Sequence, residues 1–349
     1  VVKQHRIDEL RKKLDALDTT LPPLSQAPVL SEADMPAKSH LRMRGDFREK
    51  GIEVQPGTPA SLNLFEGPRT RLGLARWLLS PEHPLTARVA VNRFWGEFFG
   101  RALVRTTEDF GRQGEPPSHP QLLDWLAVEF REGGWSMKRI HKLIVESAAY
   151  RQSSAARPDL AERDSGNILL ARQSRLRLPA ESIRDAALAA SGLLNPALGG
   201  KSVRPPQPDG VAALGYANSV KWESSAGPDR YRRGLYIHFQ RTTPYPQLMN
   251  FDAPDSNVAC TRRQRTNTPL QALNLLNDPV FFETAQGLAL RLLRERTGRA
   301  TDRIVYAFEL ALSRPPSSRE RDRLAALFDQ QKAIFTRDSG AAALVFPLR

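Results

Sequence analysis

Proline placement limits this chain more than any other feature of its sequence. There are 27 prolines among 349 residues. Each fixes φ and removes a backbone donor, so a proline marks a helix start, a stop or a kink and is not carried inside a straight helix. Between Leu21 and Ala60 they crowd together as Pro22, Pro23, Pro28, Pro36, Pro56 and Pro59, joined by Gly45, Gly51 and Gly57. That composition rules out a long helix and fits a linker with a short extended arm. Further along, prolines such as Pro81, Pro84, Pro179 and Pro269 fall at the edges of apolar stripes with helical spacing, where they act as start and stop signals.

Those stripes predict the helices. Ile7, Leu10, Leu14 and Leu17 place residues 3–17 at the end of a charged helix. Leu72, Ala75, Leu78 and Leu79 form a stripe that Pro81 interrupts, and Pro84 suits the first turn of a helix running through Phe98. Ser118 and Gln121 read as a cap ahead of Leu122, Leu126 and Phe130, Gly133-Gly134 ends that helix, and Ser136 caps the next, with Ile140, Leu143 and Ile144 inward. The pair reads as a helical hairpin. Pro179 opens a helix that ends near Gly192, Thr268 with Gln271 opens another that buries Leu270, Leu273 and Leu276, and Ser317 with Glu320 opens the last. Residues 195–228 keep no period, and Arg233–Gln240 alternates aromatic and branched residues as a strand does. The predicted class is mainly α: helical hairpins with a small irregular β-containing middle section. The expected segments are residues 1–20 (end of a charged helix), 21–66 (linker and arm), 67–195 (helical), 196–265 (irregular, with short strands) and 266–349 (helical).

Charge narrows the partners. Lys and Arg outnumber Asp and Glu by 51 to 38, a formal net charge of +13, so the surface field attracts anions. With 26% charged and 40% hydrophobic residues the balance is that of a folded globular chain. The single cysteine, Cys260, excludes an internal disulfide, a CxxC zinc pair and a CxxCH haem attachment, so redox chemistry is not housed here through cysteines; no cofactor is expected in this chain. No apolar run approaches the roughly 20 residues of a membrane span. The six histidines make no HExxH helix, and GxSxG, Walker A and GxGxxG are absent, which leaves no recognisable catalytic motif.

Three groups of residues can carry chemistry. Arg93 and Trp95 precede Asp109 and His119; an arginine could hold an anion there while the imidazole and carboxylate exchange a proton, although the same residue types also cap helices. The stretch 229–265 interleaves Arg233, Arg241 and Arg263 with Tyr236 and Tyr245 and adds His238 and Asp252 as a second acid–base pair. Guanidinium forks suit sulfate, phosphate or carboxylate, and rings offer flat faces to sugars; structural pairs with carboxylates account for the same letters. Asp252, Asp255 and Asn257 form an oxygen-rich loop that is a weak calcium candidate, since the twelve-residue pattern is missing. The basic residues follow no nucleic-acid reader motif, which disfavours DNA or RNA as the partner.

Four strings occur in order: ARVAVNRFWGEFFGRALVRTTEDFG from residue 87, HPQLLDWLAVEFREGGWSMKRIHKLIVESAAYRQSS from 119, RLPAESIRDAALAASG from 177 and RTNTPLQALNLLNDPVF from 265. Together they resemble the planctomycete cytochrome-associated domain of unknown function, number fifteen fifty-three, over roughly residues 40–315. The resemblance implies the C-terminal part of a larger exported protein, periplasmic or at the cell surface, with haem held only in an upstream cytochrome c-like segment. It supplies no catalytic residues. Where relatives carry Lys-Arg, this chain has Gln240-Arg241. The resulting expectation is an accessory module that binds an acidic glycan or another polyanion; the alternatives are a glycan-active hydrolase using one of the His/Asp pairs, or a scaffold for neighbouring domains.

Overall fold

The computed structural model describes residues 2–20, 27–33, 38–160, 162–214 and 221–346. Pro22, Pro23 and Pro36 of the expected linker, and residues 215–220 of the expected irregular section, lie outside them. Among the described residues the chain forms thirteen α-helices and one two-stranded antiparallel sheet, so the mainly α class holds. It divides into two compact units, Val1–Thr86 and Ala87–Arg349.

The first unit contains α1 (Val2–Thr20), β1 (Ser39–Arg42), β2 (Lys50–Val54) and α2 (Arg71–Leu78). The strands pair Ser39 with Val54 and Arg42 with Lys50, and the chain reverses through Arg44 and Gly45, both at positive φ. Thr70 caps α2 by accepting from the Gly73 amide, and the Trp77 indole donates to the Asn63 carbonyl at 2.9 Å. Trp77 meets His83 edge to face, and burial pushes the His83 pKa down, so the ring stays neutral where it accepts from the Thr86 amide.

The second unit is built on α3 (Thr86–Phe99), α4 (Pro120–Glu132) and α5 (Met137–Glu146). The expected α4–α5 hairpin is present, and Ser136 caps α5 by accepting from the Arg139 amide. Ser118 does not cap α4. Pro120 occupies the first helical position, where its missing N–H leaves no orphan donor, and the Ser118 amide instead donates to the Leu103 carbonyl at 2.8 Å. Val91, Trp95, Phe99, Leu126, Phe130 and Ile144 interlock as the core of this half. Within it Asn92 is fully buried: its amide nitrogen donates to the Val104 carbonyl at 3.0 Å and its oxygen accepts from the Val104 amide at 2.8 Å. Asn92→Leu keeps the volume but strands both backbone groups, and a buried group without a partner costs about 2 kcal/mol. Urea unfolding should show that loss as a lower midpoint at unchanged slope.

The other half packs α7 (Ala180–Ser191) on α10 (Pro279–Glu295), with α8 (Pro246–Asn250) and α9 (Pro269–Asn277) alongside; the four-residue α6 (Ala148–Arg151) follows α5. Pro179 and the left-handed Gly192 bound α7 as expected. Thr268 and Gln271 form both halves of a capping box on α9. The leucines of α9 nevertheless face outward, with Leu270 64% and Leu276 73% exposed. Gln271 is the buried residue, because its amide donates to the Asn250 carbonyl and the Thr266 hydroxyl and fixes which side turns in.

The predicted strand at Arg233–Gln240 is a correction. Gly234–Tyr236 forms a 3₁₀ turn, and among its described residues the middle section contains only isolated bridges, Asn195 with Arg232 and Val203 with Ile237. Asp185 accounts for this by accepting from both the Arg233 side chain and the Gly234 amide. A Cβ at Gly234 would lie 2.8 Å from the Glu181 Cα, so the turn is pressed against α7 with no space for a side chain. Past α10 come α11 (Ala300–Leu312), α12 (Ser318–Arg337), opened by the expected Ser317–Glu320 box, and α13 (Ser339–Val345).

Candidate functional site

The solvent face of α3 and the irregular segments before α7 and α9 enclose a cleft of about 640 Å³. Among the described residues six arginines line it, Arg93, Arg175, Arg177, Arg262, Arg263 and Arg265, against one carboxylate, Glu97. Three are committed to structure. Arg263 pairs with Glu181 at the start of α7, Arg265 pairs with Glu97 at 2.8 Å, and Arg177 pairs with Asp252. Arg93, Arg175 and Arg262 have no carboxylate partner among the described residues, and all three are exposed. Their donors are therefore available to an anion.

The wall is held from behind by Asp252. Its carboxylate accepts from the Arg177 guanidinium, from the Thr266 amide at 2.8 Å and from the Thr266 hydroxyl. Arg177 also donates to the Thr266 carbonyl at 2.9 Å and lies over the Phe251 ring. Arg177 and Asp252 have side chains only 15% and 18% exposed. The clasp ties the arginine-bearing 261–267 segment to α8 and to the residues before α7, while a Thr107–Thr261 hydroxyl contact at 3.3 Å secures its start.

Of the residues singled out in the sequence, this cleft brings together Arg93 and Arg263, with Asp252 behind them. The others are placed elsewhere. Trp95 is a core residue stacked on Phe99, beside a gap of only about 30 Å³. Tyr245 is fully buried with its hydroxyl on the Pro206 carbonyl, and burial drives its pKa up, so it presents no ring to a ligand. The Tyr236 ring is covered by the Arg232 guanidinium at 3.8 Å, and Arg233 is held by Asp185. Arg241 is exposed and lies outside the cleft lining.

The proposed acid–base pairs have separate partners. His119 bonds the Ser118 hydroxyl, whereas Asp109 accepts from the Gly111 amide. His238 lies 3.4 Å from both the Ser202 hydroxyl and the Gln240 side chain, whereas Asp252 belongs to the clasp. Asp255 is occupied by Asn257, which bonds it through backbone and side chain and holds its pKa down. No group of three or more His, Cys, Asp or Glu side chains is arranged for a metal among the described residues, so the calcium loop of the sequence reading closes on itself.

Arg175 and Arg177 were missed by sequence reasoning. They stand two apart just before Pro179 in a stretch without periodicity, and the signal available was their basic spacing alone.

Among the described residues no helix is long and apolar enough to cross a membrane. No curated protein and no solved structure matches the chain. The sequence profile of PSD1, a protein of unknown function (DUF1553), matches residues 70–328, which takes in both halves of the second unit and the whole arginine cleft. The chain therefore belongs to the PSD1 (DUF1553) family of proteins of unknown function.

Proposed function

We propose that this chain is a binding module for an acidic glycan, carboxylated or sulfated, seated in the arginine cleft. The observation that carries the reading is the imbalance of six arginines to one carboxylate in a single cavity of about 640 Å³. Planar guanidinium forks match carboxylate and sulfate oxygens two bonds at a time. The volume falls in the range of about 300–1,000 Å³ usual for small-ligand sites. The net charge of +13 draws such a ligand toward the protein from a distance. The module works outside the cell, as part of a longer polypeptide whose haem is carried in a separate segment. Its role there is capture of the glycan, with the chemistry left to other domains.

Calorimetric titration with a uronate trisaccharide, a sulfated trisaccharide and a neutral one tests this. Binding of the acidic sugars is expected, with each of Arg93→Ala and Arg262→Ala weakening it about tenfold, the worth of one charge-assisted hydrogen-bond pair. Equal binding of the neutral sugar, or affinities that the two substitutions leave unmoved, refutes the reading. Raising the salt should weaken but not abolish the interaction, because a shaped site is screened less than an open surface.

A further inference from the structure

The cleft does not end at its own wall. A second cavity of about 370 Å³ is lined by Ser154, Arg157, Ser165, Asn167, Arg172 and Arg175, so Arg175 borders both spaces. Acidic side chains in this second cavity are already engaged. Asp164 is turned onto the amides of Ile168 and Leu169 at 2.7 and 2.9 Å, and Arg157 is paired with Asp159. Arg172 and Arg175 have no carboxylate partner among the described residues. Among the described residues the Arg175 side chain makes only a long contact of 3.4 Å with the Ser154 hydroxyl, a side chain of the second cavity. Guanidiniums without a carboxylate partner among the described residues thus run from Arg172 through Arg175 to Arg93 and Arg262, and the two carboxylates in the lining, Asp164 and Glu97, are engaged elsewhere.

We infer that the ligand is an extended polyanion, an acidic oligosaccharide that lies across Arg175 and fills both cavities at once. The inference rests on the acidic-glycan reading and adds length to it. A single sugar can satisfy one cavity, whereas a chain with an acidic group on each residue engages the second as an intramolecular event, which raises affinity without any change in the first contact. The lining favours a glycan over a nucleic acid. Phe94 is the aromatic ring in the cleft, and its edges and faces are taken up by Phe130 and His141 at 5.6 and 5.0 Å between centroids. Single-stranded nucleic acid is held by base stacking on open rings, and the lining offers none.

The test uses the full chain and galacturonate as monosaccharide, trimer and hexamer, with affinities read by calorimetry. The hexamer is expected to bind about a hundredfold tighter than the trimer, the modest end of linked binding. Register multiplicity also favours the longer sugar, and Arg172→Ala separates the two effects: it should return the hexamer to the trimer's affinity while leaving the trimer unchanged. Arg175→Ala should weaken both. A hexamer that gains nothing over the trimer, or a gain that survives Arg172→Ala, overturns the extended site and leaves the acidic-glycan reading standing. Absence of binding by any acidic sugar overturns both. Single-stranded DNA of matched charge binding as tightly as the hexamer overturns the choice of glycan. Arg172 and Arg175 make no ion pair among the described residues, and a circular-dichroism melt confirms that each variant is folded before it is titrated.

Discussion

Trp95→Ala should lower the stability of the second unit by about 4 kcal/mol, the range found when a large buried aromatic is cut back to a methyl. Trp95 is 6% exposed and lies nearly parallel to Phe99, with ring centroids 4.2 Å apart. Removing the indole takes away the transfer free energy of the ring and leaves a void that Phe99 and Leu123, fixed on separate elements, are poorly placed to fill. The urea midpoint is expected to fall by more than any other single substitution described above. What remains folded should bind acidic sugars as before, since Trp95 does not line the arginine cleft. The opposite pattern, lost binding at an unchanged midpoint, would return Trp95 to the ligand site that its sequence neighbourhood first suggested.

The second large effect belongs to Asp252. Asp252→Ala leaves the Arg177 guanidinium in a largely buried position without its counter-charge, and breaking such a pair from one side costs about 3 kcal/mol. It also removes the acceptor for the Thr266 amide and hydroxyl. A third contribution is conformational: Asp252 sits at φ 62, a left-handed geometry that Asp and Asn tolerate better than Ala. Asp252→Asn separates these contributions, because it retains the backbone preference and two neutral hydrogen bonds while losing the charge. Thermal unfolding should therefore order the proteins as wild type, then Asn, then Ala. The Ala variant should also bind acidic sugars more weakly although Asp252 would touch no ligand, because the 261–267 segment loses its anchor. Equal melting of Asn and Ala would show that the pairing alone sets the stability and that the backbone geometry contributes nothing.

How much of this was legible in the sequence follows from the range of the interactions involved. Ser136, the Thr268–Gln271 box, the Pro179 to Gly192 limits of α7 and the Ser317–Glu320 box all act within four residues or at the two ends of one helix, and each stands where its pattern placed it. Arg233–Gln240 carried an equally good strand pattern, but a strand needs a partner, and the partner it met was a helix bearing Asp185. The leucines of α9 had the right period with the wrong phase, since one buried glutamine decides the facing of the helix through contacts to Asn250 and Thr266. The cleft was half visible. Arg263 and Arg93 were singled out as residue types, yet what makes them neighbours is the clasp between residues 177, 252 and 266, which no local spacing encodes. The aromatic half of the expected sugar site is absent for a simpler reason: Trp95 and Tyr245 are worth more inside the core than outside it.

The arginine cleft has one more consequence. Carboxylates pair with Arg177, Arg263 and Arg265 individually, whereas Arg93, Arg175 and Arg262 line the same cavity without a carboxylate partner among the described residues. Like charges gathered in one cavity oppose the folded arrangement, and on the proposed reading a bound polyanion would relieve that repulsion. The second unit would then melt higher in the presence of an acidic oligosaccharide than in buffer alone, and the gain would shrink in Arg93→Ala, which removes one of the opposed charges.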